Sequence, residues 1–456
     1  MLDSKFIREN VKVVSENTKK RTGSDLIVKE FINKDKQLRE LQLELDNLRH
    51  SRNKVSESIN EAKKSGNNQL FQQKIKEAKE LPEKIKKAEE KYGLLEKETK
   101  EILFKIPNIM HKNVPLGKDA SENKEIKKVG QIPKFNFPIK NHVELAENLK
   151  IADFEKSSQV SGNGFYYIKK ELALLNQALI RFALDSLSKK GYEYIETPLM
   201  LHEKEVYASM DRGAIEQSVY SIKGEGDLNL IGTAEQSLLA MHSGDTFSES
   251  ELPKKYFSYS MCFRKEVGAH GINEKGLWRT HQFNKIEQFI FCKPEDSWKY
   301  YDDLLKNTEE IFQKLKLPYR IIEMCVGDLS SWKAKSHDIE VWRPTIKEYG
   351  EVASLSNCTD YQARKLNIKV MRDNNQEKQV VHTLNNTALA TSRALVAILE
   401  NYQQKDGSIK IPTVLQKYTG FKIIKALAIK PKSKTKIIKQ KHPKKILEKK
   451  NKISKK

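Results

Sequence analysis

Cysteine is scarce in this 456-residue chain. The four present, Cys262, Cys292, Cys325 and Cys358, form no CxxC pair and no His-linked metal spacing. This argues against a disulfide frame or a structural zinc site and fits structural thiols in a reducing compartment. No run approaches the roughly 20 apolar residues that a membrane span needs, so no membrane partner is expected. The opening MLDSKFIRENVKVVSE holds no apolar signal core and carries acidic residues, which argues against secretion or organelle import and for a cytoplasmic location. Acidic residues are also in deficit. The chain has 61 Asp and Glu against 83 Lys and Arg, a formal charge of +22, which points to a polyanion, most simply nucleic acid. Hydrophobic content of 38% beside 32% charge suits a soluble chain with a large exposed helical part. The length allows two or three domains.

Residues 1–26 read as a short helical lead-in with Phe6, Val11 and Val14 as apolar contacts. A heptad-like rhythm follows through Leu38, Leu41, Leu45, Leu48, Val55, Ile59 and Ala62, with Arg52 as its polar interruption. After the turn signal Ser65-Gly66-Asn67-Asn68 it resumes through Phe71, Ala78, Leu81, Ile85, Ala88, Tyr92, Leu95 and Ile102. Two matched runs around one tight turn predict an antiparallel coiled-coil hairpin, each helix roughly 50 Å long. Pro82 is a fault in the second run, where a kink is expected. The exposed positions are rich in Lys and Arg, among them Arg39, Arg49, Lys63, Lys64, Lys86 and Lys87. Nearby Glu residues nearly balance them, so the pattern alone fits an ordinary solvated coiled coil as well as a nucleic-acid-binding arm.

Residues 105–160, with Pro107, Pro115, Pro133 and Pro138, read as a linker. A mixed α/β pattern then begins with a helix over 171–190 and a strand ending at Pro198. The stretch from Cys262 to Phe291 reads as two alternating apolar segments around a Gly-bearing polar connection, hence an antiparallel hairpin. Two-residue spacing places Arg264 and Glu266 on one face if the strand continues through them, with Glu287 across the hairpin. An Arg and two carboxylates on a sheet floor can hold both a phosphate and an ammonium. Thr233 and Glu235 stand where a strand yields to a helix. They suit a small amino acid, and helix capping by Thr233 explains them equally well. Glu351 and Ser354 offer hard oxygen donors suited to Mg²⁺ held mainly through phosphates. Arg393 is a rare charge in an apolar helix and needs an anionic partner.

The wording of these segments is particular. FRxE, a Gly-containing loop and RxHQF resemble motif 2 of the class II aminoacyl-tRNA synthetases, in the form found in seryl-tRNA synthetases. The TAEQ segment at 233–236, SNCTDYQ at 356–362 and the motif 3-like stretch ending in Arg393 resemble the same family, in its eukaryotic cytosolic type. The helix, strand and Pro at 171–198 resemble motif 1. The resemblance covers roughly residues 1–421. It implies an α+β fold: a class II antiparallel β-sheet catalytic domain flanked by helices, behind an N-terminal antiparallel coiled-coil arm. The implied divisions are a tRNA-binding domain at 1–105, a linker and start of the catalytic domain at 106–160, the catalytic domain at 161–424 and a Lys-rich tail at 425–456.

The implied activity is ATP-dependent activation of L-serine to seryl-adenylate, then transfer to the 3′ end of tRNA(Ser), and by similarity tRNA(Sec). The resemblance gives Arg264 the ATP α-phosphate, Glu266 and Phe283 the adenine, Thr280 a place along the ATP and Arg393 the γ-phosphate. Lys265, Val352 and Ala353 complete the implied ATP set, and Glu351 and Ser354 would carry Mg²⁺. Thr233, Glu235, Glu287 and Thr387 would hold the serine ammonium and hydroxyl. A homodimer is implied through motif 1. Two rivals share many of these features: a class II ligase for another acceptor, and a catalytically dead RNA-binding paralogue. The arm argues against the first, and the presence of Arg264, Glu287, Glu351 and Arg393 against the second. The tail holds 14 Lys and one Glu over residues 425–456, which suits nonspecific tRNA binding, nuclear targeting or a plain solvated extension.

Overall fold

The computed structural model describes residues 1–266, 275–374 and 376–427. Most of the Lys-rich tail and the glycine-bearing part of the hairpin connection therefore lie outside the described residues. The N-terminal part holds four helices: α1 (Ser4–Glu9), α2 (Val11–Thr22), α3 (Leu26–Lys64) and α4 (Asn68–Lys105). The two heptad runs become α3 and α4, and Asn67 caps α4 by accepting from the Leu70 amide. Ion pairs Lys34–Glu98 (2.7 Å) and Arg49–Glu89 (2.8 Å) tie early α3 to late α4, as an antiparallel pair requires. Leu41, Leu45 and Ala88 form the seam between them. The expected kink does not interrupt α4, which continues through Pro82 as one helix.

The base of this arm is packed more tightly than its length. Ile7, Val14, Val28, Phe31 and Ile106 are fully buried there, in one cluster with Tyr361 from the far side of the chain. Tyr361 also donates its hydroxyl to the Ile106 carbonyl at 3.0 Å.

Residues 106–160, read as a linker and the start of a catalytic domain, hold regular structure besides connection. Lys124–Val129 is a strand that pairs antiparallel with Tyr319–Glu323 at the edge of the main sheet. Its residues are almost all exposed, so no alternation marks it in the sequence. Two short helices follow, His142–Asn148 behind an Asn141 capping box and Phe154–Ser161.

The main sheet has eight strands. In spatial order they are Lys124–Val129, Tyr319–Glu323, Lys335–Arg343, Glu348–Thr359, His382–Ala390, Gln282–Cys292, Lys254–Phe263 and Glu193–Tyr194. Every pairing is antiparallel except the last, where Glu193–Tyr194 runs parallel to its neighbour. Helices Lys170–Ser188, Ser297–Leu315 and Thr391–Asn401 share one hydrophobic core with this sheet. Period two then divides the central strand. Ile286, Ile290 and Cys292 enter that core, whereas Phe289 and Phe291 enter a second cluster with Leu238 and Leu239. Lys285 and Glu287 share the parity of Phe289, which points them away from the main core.

Phe31 has no exposed surface at the arm's base. Phe31→Ala is expected to cost about 3–5 kcal/mol in urea unfolding. A loss under 1 kcal/mol would show that the base cluster is not a stabilising core.

Candidate active site

A cavity of about 500 Å³ opens over the centre of the sheet. Its lining brings together Arg264, Glu266, Thr280, Phe283, Glu351, Val352, Ala353, Ser354 and Arg393 with Thr233, Glu235 and Thr387. Of the residues expected from the sequence, Lys265 does not line it; its amide donates to the Ser218 carbonyl at 2.9 Å instead. Glu287 lies just beneath the lining, with no exposed surface.

One end of the cavity is built on paired strands. Lys285 Nζ lies 2.7 Å from both Glu287 Oε2 and Thr233 Oγ1. Across the ladder, Asn385 Nδ2 donates to Glu287 Oε1 at 3.1 Å and Thr387 Oγ1 to Glu287 Oε2 at 3.2 Å. The Lys285 ammonium thus sits between a carboxylate oxygen and a hydroxyl oxygen, and these two oxygens can hold an ammonium. Thr233 also caps the helix Ala234–Ala240 by accepting from the Glu235 amide, as the capping reading expects. Gln362 Nε2 donates to Glu235 Oε1 at 2.7 Å, and Gln362 Oε1 accepts from Thr383. Burial first, and then the charge of Glu287, push the Glu235 carboxyl above its ordinary range.

The rest of the cavity wall carries the guanidinium groups. The strand expected to hold Arg264 and Glu266 stops at Phe263, so their shared face does not come from strand alternation. Arg264 instead turns its Nε to the Gly232 carbonyl at 3.2 Å, with its guanidinium 5.3 Å from the centre of the Phe283 ring. Glu266 adopts φ +51° and pairs with Arg279 at 2.7 Å. This break in strand geometry brings both side chains into the cavity. Arg393, near the start of the helix Thr391–Asn401, pairs with Glu351 at 3.1 Å and also donates to its carbonyl. The Trp278 ring meets two guanidinium groups, those of Arg343 and Arg393, at 4.2 and 5.4 Å. The close approach of the Trp278 ring requires Gly at 350, where an added Cβ would meet the ring at 2.4 Å.

Glu351 and Ser354 are three residues apart and would face opposite sides of a regular strand. A bulge breaks the register: Ala353 pairs with Ile339 and Glu351 with Glu340, leaving Val352 as the extra residue. Both side chains therefore reach the cavity. Loss of water opposes the Glu351 charge most strongly, yet Arg393, Arg264 and Lys333 together outweigh this and hold its carboxyl below the usual range. Asp338, opposite Ser354 in the ladder, is buried and pushed the other way by burial first and then by Glu351. Its Oδ1 has no hydrogen-bond partner among the described residues.

Sequence reasoning missed Lys285, Lys333, Asp338, Asn385 and Trp278, all of which line the cavity. Only Asn385 and Lys285 left a usable signal, since each is two residues from an expected ligand on a strand. The chemistry of the whole is that of two charged poles. One can grip an ammonium and a small hydroxyl, the other a chain of phosphates beside an aromatic ring.

Known proteins match this chain along most of its length. The profile of the seryl-tRNA synthetase N-terminal domain matches residues 1–110, and that of the class II tRNA synthetase core domain (G, H, P, S and T) matches residues 219–402. A serine–tRNA ligase from Methanocella arvoryzae is 46% identical over 421 residues, covering 92% of this chain and 98% of that protein. A crystal structure of seryl-tRNA synthetase from Pyrococcus horikoshii, complexed with ATP, superposes with a TM-score of 0.87 at 40% identity, covering 94% of this chain and all of that one (100%). A cytoplasmic serine–tRNA ligase from Naegleria fowleri, in complex with AMP, gives 0.82 at 33% identity, covering 93% of this chain and 99% of that one.

Asp338 yields a pH-dependent prediction. Folding disfavours its carboxylate, so the folded chain holds a proton there that the unfolded chain releases above about pH 4. Stability is lost as pH rises from that value, and the loss levels off once the folded carboxyl ionises. Asp338→Asn removes the penalty. Its apparent Tm is expected to match the wild type near pH 4 and to exceed it at about pH 8. A difference that does not vary with pH would refute this.

Proposed function

This chain belongs to the seryl-tRNA synthetases of class II, and from that premise we propose how its cavity divides the work of a serine–tRNA ligase. The observation that carries the proposal is the pair of poles in one cavity, Thr233–Lys285–Glu287–Thr387 facing Arg264–Phe283–Arg393. Serine would place its ammonium against Thr233 and Glu287, displacing or joining the Lys285 ammonium, and its hydroxyl near Thr387 and Glu235. Such a site rejects alanine because buried polar groups would lose their partners.

ATP is bound at the other pole. Phe283 offers a face to adenine and Glu266 a carboxylate to its edge, while Arg264 and Arg393 neutralise the α- and γ-phosphates. Thr280, Val352 and Ala353 supply the wall between them, and Lys265 stays outside it. A serine carboxylate oxygen then attacks the α-phosphorus in line, and the bond to pyrophosphate breaks. In the second step a ribose hydroxyl at the tRNA 3′ end attacks the seryl carbonyl, and AMP leaves. The protein's part is positioning and charge stabilisation, with fixed guanidinium donors in place of mobile water. No protein nucleophile is needed, and all four cysteines are buried.

Glu351 and Ser354 fit Mg²⁺ as hard oxygen donors, and no group of three His, Cys, Asp or Glu among the described residues could hold a metal unaided. The fit is to an ion that takes its other ligands from phosphate and water. When bound, it would neutralise phosphate charge beside Arg393. The coiled-coil arm would contact tRNA(Ser), and by similarity tRNA(Sec), through phosphates and shape. The functional divisions at 1–105, 106–160, 161–424 and 425–456 remain our reading. So does the cytoplasmic location; no helix among the described residues is long and apolar enough to cross a membrane. A homodimer through the motif 1-like unit is supported by the exposed apolar Leu174, Tyr194 and Met200 there.

Exchange of labelled pyrophosphate into ATP is expected with serine and not with threonine, alanine or glycine. Arg264→Ala should lower it by at least about 100-fold. Exchange that ignores the amino acid, or survives in the variant, would sink the assignment. The chain is also expected to sediment at twice its own mass, and Leu174→Asp should shift it towards the monomer.

A further inference from the structure

The loop of residues 329–333 forms one wall of the cavity through Trp332 and Lys333. It belongs to no strand or helix, so its backbone groups need partners from elsewhere. Its carbonyls are met from one direction. Arg21 Nη1 donates to the Lys333 carbonyl at 3.1 Å, and Arg21 Nη2 to those of Leu329 (3.0 Å) and Ser330. The amide and side chain of Asn108 donate to the carbonyls of Ser331 (2.8 Å) and Trp332 (3.0 Å). All five consecutive carbonyls are thus held by two residues at the arm's base. Arg21 also donates to the Asn108 carbonyl at 2.7 Å, which makes the two one unit.

With its carbonyls turned to the arm, the loop presents side chains to the site. Lys333 Nζ lies 3.4 Å from Ser354 Oγ. Ser331 Oγ donates to Asp211 Oδ2 at 2.9 Å, and Asp211 caps the helix Arg212–Ser218, whose Ala214, Gln217 and Ser218 also line the cavity. Arg21 makes no ion pair among the described residues, although burial lowers its pKa to about 10. A half-buried cation without a carboxylate is costly, and only a planar, forked group can serve this many carbonyls at once. A Lys could supply the charge but not the span.

We propose that Arg21 is a positioning residue for serine activation. It fixes the Trp332–Lys333 wall of the cavity and so links the seating of the tRNA-binding arm to the substrate pocket. The inference rests on the ligase reading above. The plainer alternative is that Arg21 only cements the arm to the catalytic part, and the two separate by experiment. Pyrophosphate exchange needs no tRNA and is measured on the full chain as wild type, Arg21→Met, Arg21→Lys and Asn17→Ala. Asn17 donates to the Asn108 carbonyl at 3.1 Å and accepts from the Met110 amide, without touching the loop. Its variant loosens the same junction by another route.

In both Arg21 variants KM for serine is expected to rise roughly 3- to 30-fold with a smaller change in kcat. Asn17→Ala should keep wild-type KM even where its Tm falls. Unchanged KM in the Arg21 variants, or an equal rise in Asn17→Ala, would overturn the inference in favour of cement. Arg21→Lys keeps the charge and decides the matter if Arg21→Met does not fold. Absence of exchange in the wild type would count against the ligase reading alone. Calorimetric ATP affinity in the same variants would then decide the inference, supported if it falls for Arg21 and holds for Asn17, and overturned otherwise.

Discussion

A carboxylate with no exposed surface lies at the centre of this molecule. Withdrawing Glu287 from water costs several kcal/mol unless the charge is paired and its lone pairs are met. The fold meets that demand from three directions: Lys285 on its own strand, Asn385 and Thr387 on the neighbouring one. The last two need the register between Gln282–Cys292 and His382–Ala390 to be right, because a slip of one residue would send both to the opposite face. The face behind Glu287 is built with equal care. Gln288, Asn307, Thr308 and Asn386 form a buried hydrogen-bonded chain that joins the sheet to the helix Ser297–Leu315. The sheet is therefore polar on both sides at its middle, and among the described residues only Asn386 Oδ1 in that chain is left without a hydrogen-bond partner.

Much of the site was legible because it is written in short local patterns. The hairpin, the helix after Thr233 and the strand-to-helix passage before Arg393 all follow from alternation and its loss. What stayed hidden depended on where regular structure fails. Strand parity set Arg264 and Glu266 on one face, yet the strand ends at Phe263, and a positive φ at Glu266 does the work instead. Parity also forbade Glu351 and Ser354 from sharing a face, and the bulge at Val352 allows it. A bulge costs one residue and leaves no compositional mark.

Other residues were hidden by burial on both faces. Along Gln282–Cys292 nearly everything after Asn284 is buried, so Lys285 reads as surface by type and is core by position. The strand Lys124–Val129 errs the other way: it is an edge strand with exposed residues among prolines and looked like connection. Lys333 and Asp338 came to the cavity through tertiary packing that no local pattern encodes. The loop carrying Lys333 takes its shape from Arg21, some 300 positions earlier in the chain.

The arm also has a mechanical side. At 1.5 Å per residue α3 is a rod of about 58 Å, fixed at one end only, so a tilt of one degree at its root sweeps the tip by about 1 Å. Placement at the far end is therefore decided by stiffness at the near end, where Ile7, Val14, Val28, Phe31 and Ile106 are packed without exposed surface. A contact made at the tip has to tolerate ångström-scale wander. Long lysine and arginine side chains meeting a repeating line of phosphates tolerate it, whereas a close-fitting base-reading pocket would not. A lever of this length suits gauging the outline of a large ligand, with fine discrimination left to the rigid sheet at the other end.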